Sequence, residues 1–128
     1  MPTPDPLAEL ATMTDPRAMR RLVLEALAAR AEEAHAERVE RDARDPLGAE
    51  TPSRLAVVVA VIDDASAYYS NMTARGGTLE DYREIAADTY RYAEEQIPSL
   101  IASVMTPEQR SRAYARVVAD MRGPSDED

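Results

Sequence analysis

The sequence predicts an all-α protein: an antiparallel four-helix bundle with a long first helix, a kinked third helix and a short fourth helix. Three observations carry that prediction. Apolar residues return every three or four positions through most of the chain, the spacing of one face of a helix. Asp15-Pro16, Thr51-Pro52 and Thr106-Pro107 each read as a capping side chain followed by proline in a first turn, where its missing N–H costs nothing. Alanine, the best helix former, fills positions that bulkier residues usually hold. The densest apolar run, Arg54 to Met72, places Leu55, Val58, Ile62, Ala65, Tyr69 and Met72 on one stripe, widened by Val61 and Tyr68. A helix apolar around that much of its girth belongs inside a bundle, with the others packed on it.

Taken in order, residues 1–14 form an N-terminal arm with three prolines and a small apolar set, Leu7, Leu10 and Met13. The bundle domain spans residues 15–123. Its first helix is expected from Pro16 to about Arg44, its first half carrying Met19, Leu22, Val23, Ala26 and Leu27 on one face. Continued, that face turns polar as Arg30, Glu33, Glu37 and Arg41, a charged surface with Glu37 and Arg41 at pairing distance. Asp45-Pro46-Leu47-Gly48 ends it. The second helix starts at the Thr51-Pro52 cap and stops at Gly76-Gly77. Thr78 with Asp81 opens the third as an acidic capping box. Leu79, Tyr82, Ala86, Thr89, Ala93, Ile97, Leu100 and Val104 then keep the spacing throughout, and Pro98 lies inside it, so a kink or short break is expected near Gln96. Thr106 caps the fourth helix, whose stripe is Ala113, Tyr114, Val117, Val118 and Met121, and Gly123-Pro124 stops it. Residues 124–128 are an acidic tail.

Composition narrows the function. Leu, Val and Ile together number 22 of 128 residues, and there is no Phe, so the core is thin. Small domains with thin cores often gain burial by association. A formal charge of −9 argues against nucleic acid held on a basic face. The absence of cysteine excludes disulfides and thiolate sites. The first residues lack the basic start and apolar run of a signal peptide, and Leu55–Ile62 is too short to span a bilayer. The expectation is a soluble, cytoplasmic protein without membrane contact.

Helix lengths give the sharpest expectation. At about 1.5 Å per residue the first three helices would run roughly 36–43 Å and the fourth only about 24 Å. In up-down order the fourth cannot reach the Gly76-Gly77 end. That end would expose Met19, Leu22 and Val23 from the first helix, Tyr68, Tyr69 and Met72 from the second, and Tyr82 from the third. The arm, a second copy or a partner should cover it.

Few residues invite chemistry. Asp63 and Asp64 are adjacent and so point about 100° apart. Asp63 lies on a flank of small residues, Ala56, Ala60, Ala67 and Ser70, and is the candidate buried carboxylate, expected to find an arginine. D-D-A-S-A lacks the third acid of an aspartate-rich metal motif. Glu32 and His35 make half of a helical di-metal site, which needs the motif twice, and there is one histidine. No phosphate loop, nucleophile elbow or acid–base pair is present. No catalytic residue, metal ligand or cofactor is assigned. The leading expectation is a non-enzymatic protein–protein interaction or assembly module, acting as a homo-oligomer. The first alternative is an acidic inhibitor of a basic partner, of immunity, antitoxin or phage anti-defence type; the second is a helical bundle holding a small ligand or metal.

Overall fold

The computed structural model describes residues 5–45 and 51–122, which contain five helices and no strand. They are α1 (Pro6–Leu10), α2 (Pro16–Ala43), α3 (Arg54–Thr73), α4 (Leu79–Ser103) and α5 (Pro107–Arg122). The all-α helical bundle is therefore present, and α2, α3 and α4 pack on one another in every pairing. Arg20 meets Ser66 and Glu32 meets Arg54, so contacts between α2 and α3 run in opposite order along the chain. Met13 with Arg83 and Arg30 with Glu94 run in the same order from the start of α2 to α4.

Local chemistry sets the boundaries. The Asp15 carboxylate accepts from the Arg17 N–H, with Pro16 in the first turn. Thr78 and Asp81 close the expected capping box in both directions. Gly77 immediately precedes it at φ +156, and a Cβ there would lie 2.9 Å from the Asp81 carboxylate, so a side chain would push the box apart. Thr106 and Gln109 cap α5 reciprocally in the same way. The second helix departs from expectation. Its cap is Ser53, which accepts from the Ala56 N–H. Thr51 instead donates its hydroxyl to Asp42 at 2.7 Å, and Pro52 is buried with its carbonyl on His35. Tertiary partners thus take the two residues that local spacing assigns to the cap. Pro98 is exposed, and α4 continues through it to Ser103, so the helix is not broken near Gln96. The stops at Pro46–Gly48 and Gly123-Pro124, and the acidic tail 124–128, lie outside the described residues.

The core is a column of one or two residues per turn: Met19, Val23, Leu27 and Ala31 from α2, Val57, Val61, Ala65 and Tyr69 from α3, and Ala86, Tyr90, Ala93 and Ile97 from α4. Thr89 is buried among them with its hydroxyl donating to the Ile85 carbonyl, so it carries no unpaired polar atom into the core.

The chain's own arm covers the α2 and α4 side of the bundle next to the Gly76-Gly77 end, with α1 packed on both helices. Leu10 is only 2% exposed, Leu7 and Met13 pack beside it, and Arg83 donates to the Met13 carbonyl at 3.0 Å. Of the three expected covers, the arm is the one that lies there. Met19, Val23 and Tyr69 are buried, and Leu22, Tyr68 and Tyr82 are half-buried, with Tyr68 stacked on Tyr92 at 4.3 Å. Of the seven, Met72 alone stays exposed.

Candidate interaction surface

What the fold leaves open lies elsewhere. No residue of α5 is buried, although its stripe is apolar, and Tyr114 and Met121 are 71% and 81% exposed. An isolated helix of this length is marginal in water, so α5 depends on contacts beyond its own backbone. Within the chain Ala113 and Val118 are only half-buried, and the specific contacts are polar. Gln109 Nε2 donates to the Thr51 carbonyl at 3.2 Å, Arg110 to the Met105 carbonyl at 3.1 Å, and Arg116 Nε pairs with the buried Asp45 Oδ2 at 2.9 Å. These contacts tie α5 over the C-terminal end of α2 without covering Tyr114, Val117 or Met121. With four arginines and two acids, α5 is the basic helix of an acidic chain.

Because α5 stands off, α3 has two long companions rather than three. That explains why Asp63, the candidate buried carboxylate, is exposed together with Ala67 and Ser70. The partly buried acid is its neighbour Asp64, which faces α4. Its Oδ2 is enclosed without a hydrogen bond, and its charge acts on the Tyr92 hydroxyl. Leu55 and Val59 are exposed for the same reason.

The charged half of α2 is engaged rather than idle. Arg30 pairs with Glu33 one turn on and with Glu94 of α4 at 3.0 Å; the Glu33 bond is the largest influence raising its guanidinium above the usual value. The i,i+4 pairs are Arg38–Asp42 and Glu40–Arg44 rather than Glu37–Arg41. Glu37 and Arg41 instead line an open groove of about 670 Å³ against Arg116 and Asp120 of α5. His35 Nε2 lies 2.8 Å from the Pro52 carbonyl, and Glu32 pairs with Arg54, so both halves of the E-x-x-H pattern have structural partners. Among the described residues no three His, Asp or Glu side chains converge as metal ligands, and no helix is long and apolar enough to cross a membrane.

Three tyrosines have hydroxyls raised above the usual value. Burial is the main cause at Tyr69, at Tyr90 (with the Glu94 charge adding) and at Tyr92 (with Asp64 adding). The neutral phenol is therefore favoured in the folded state, so this contribution is complete below about pH 10 and is lost as pH rises through the raised values. The chain has no lysine or cysteine to obscure the effect. Thermal melts between pH 9 and 11.5 should show falling stability, and Tyr92→Phe should flatten part of the fall. An unchanged slope in Tyr69→Phe, Tyr90→Phe and Tyr92→Phe alike would contradict this assignment.

Sequence reasoning missed the α5 surface as a site because it counted α5 as a packed wall. The signal was present: its stripe is narrow and interleaved with four arginines, too polar to be enclosed on several sides. No family model, no characterised protein and no solved structure matches this chain.

Proposed function

We propose that the protein is a non-enzymatic interaction module that contacts a protein partner, a second copy of itself included, through the exposed apolar face of α5. The observation that carries this reading is the unburied stripe of Tyr114, Val117 and Met121 on a helix that is tied to the bundle by polar contacts and has no buried residue of its own. Large rigid aromatic area beside arginine is the composition of contact hot spots. Among the described residues no three His, Asp or Glu side chains converge to compete with it.

The test is capture from cells of the source organism with the tagged protein and its Tyr114→Glu/Met121→Glu variant. Both positions are exposed, so the melting temperature should stay within about 2–4 °C, the shift for roughly 1 kcal/mol. Bound protein should drop at least tenfold, the loss expected when a contact worth over 1.4 kcal/mol is removed. Equal retention by both baits would end this reading.

The acidic-inhibitor reading has one observation in its favour. α4 carries six acids against two arginines, and Glu84 and Glu95 are exposed. A basic partner held there would be released steeply by salt and would be indifferent to the α5 substitutions.

A further inference from the structure

The exposed stripe of α5 is complementary to itself. Arg110, Tyr114, Val117 and Met121 recur at the alternating four- and three-residue spacing of a coiled-coil seam. All four are exposed, so a second helix can lie along them. Arg110, Tyr114 and Val117 also form one wall of an open groove of about 420 Å³, with Ala102 and Met105, at the end of α4, on its other side.

Two opposite charges stand at the two ends of the stripe, each without a counter-charge. Arg110 donates to the Met105 carbonyl but pairs with no carboxylate among the described residues. Asp120, on the flank of the stripe one residue before Met121, is exposed and pairs with no cation among the described residues. The two stand ten residues apart, about 15 Å along the helix, too far to pair with each other.

Resting on the α5 reading, we infer that the partner on this stripe is α5 of a second copy, packed antiparallel about a two-fold axis that passes between Ala115 and Arg116. In that register Tyr114 is level with Val117 of the second copy, and Arg110 is level with Met121 and within one residue of Asp120 of the second copy. The axis repeats the arrangement, so the Arg110–Asp120 pair forms twice and both unmet charges are answered. Charge selects the direction, because a parallel, in-register pair would set Arg110 against Arg110 of the second copy. The contact covers only about two turns of helix, so the dimer should be weak beside standard complexes, which bury about 800 Å² per partner.

Sedimentation equilibrium over a concentration series should show a reversible dimer. Arg110→Asp and Asp120→Arg should each weaken it about tenfold, the loss expected for one close ion pair. An equimolar mixture of these two variants should dimerise as the unmodified chain does, because each copy then meets the opposite charge at both ends. The double variant Arg110→Asp/Asp120→Arg should dimerise normally for the same reason. These rescues separate lost pairing from loosened anchoring of α5, since Arg110→Asp also gives up the Met105 carbonyl. A chain that stays monomeric up to about 1 mM, single variants that dimerise as well as the unmodified chain, or failure of either rescue would each overturn the inference. If Tyr114→Glu/Met121→Glu still loses capture of another protein under any of those outcomes, the interaction reading survives; if capture is indifferent to those substitutions as well, both fall.

Discussion

Replacing Leu27 with alanine is expected to cost about 3–5 kcal/mol, the upper part of the range for large-to-small core substitutions. Leu27 is fully buried at the middle of α2. The cost depends on how well the surroundings collapse into the void, and here they collapse poorly. Four of the fifteen buried apolar residues are alanine, Ala31, Ala65, Ala86 and Ala93, and none has a side chain that can swing into the space. The cavity should therefore persist. For a domain of this size such a loss lowers the melting temperature by roughly 10–20 °C, a large share of the ~5–15 kcal/mol that holds a typical domain together. Met72→Ala trims a side chain at an exposed site and should cost less than about 1 kcal/mol. Chemical denaturation at pH 7 measures both. A Leu27→Ala cost below 1 kcal/mol would mean that the column of single residues is not what holds α2, α3 and α4 together.

Helices and their ends were legible because they depend on neighbours in sequence. Asp15, Thr78 and Thr106 cap through hydrogen bonds to residues two or three positions away, so local spacing suffices to find them. Ser53 was missed because Thr51, the better-looking cap, is drawn off by Asp42 nine residues earlier. No local pattern encodes that preference.

Burial was legible only where it did not depend on how many helices surround a given face. Val61, Ala65 and Tyr69 are buried whether α3 has two companions or three. Leu55, Asp63 and Ala67 change state with that number, and each was placed by assuming three. The length argument was right that α5 falls short of the Gly76-Gly77 end, but it left open what covers that end. The covering residues Leu7, Leu10 and Met13 stand out in the sequence only as the apolar set of an arm. Their i, i+3, i+6 spacing is short, and what gives it weight is the docking of Met13 on Arg83, seventy positions away. The candidate surface on α5 is the counterpart of that error: an apolar stripe shows that a helix needs a partner and does not show whether the partner belongs to the same chain.

Asp42→Ala should rival Leu27→Ala in cost, through charge rather than volume. The Asp42 side chain is 3% exposed, shares the Nε–H of Arg38 between its two oxygens at 3.1 and 3.0 Å, and accepts from the Thr51 hydroxyl at 2.7 Å. Removing the carboxylate leaves a largely buried guanidinium without its counter-charge and a hydroxyl without an acceptor, a loss of about 3–5 kcal/mol. The consequence extends past α2, because the Thr51 carbonyl that receives Gln109 belongs to the same segment. Amide exchange in α5 should therefore accelerate in Asp42→Ala along with the fall in melting temperature, while Leu27→Ala leaves α5 exchange largely unchanged. The paired replacement Arg38→Met/Asp42→Leu separates the two contributions. If the ion pair is costly to break but adds little net stability, the apolar pair should recover all but about 1 kcal/mol, yet α5 should still exchange fast, since leucine cannot hold Thr51. Slow exchange in the paired variant would detach the anchoring of α5 from Asp42 and leave Arg116–Asp45 as the contact that fixes it.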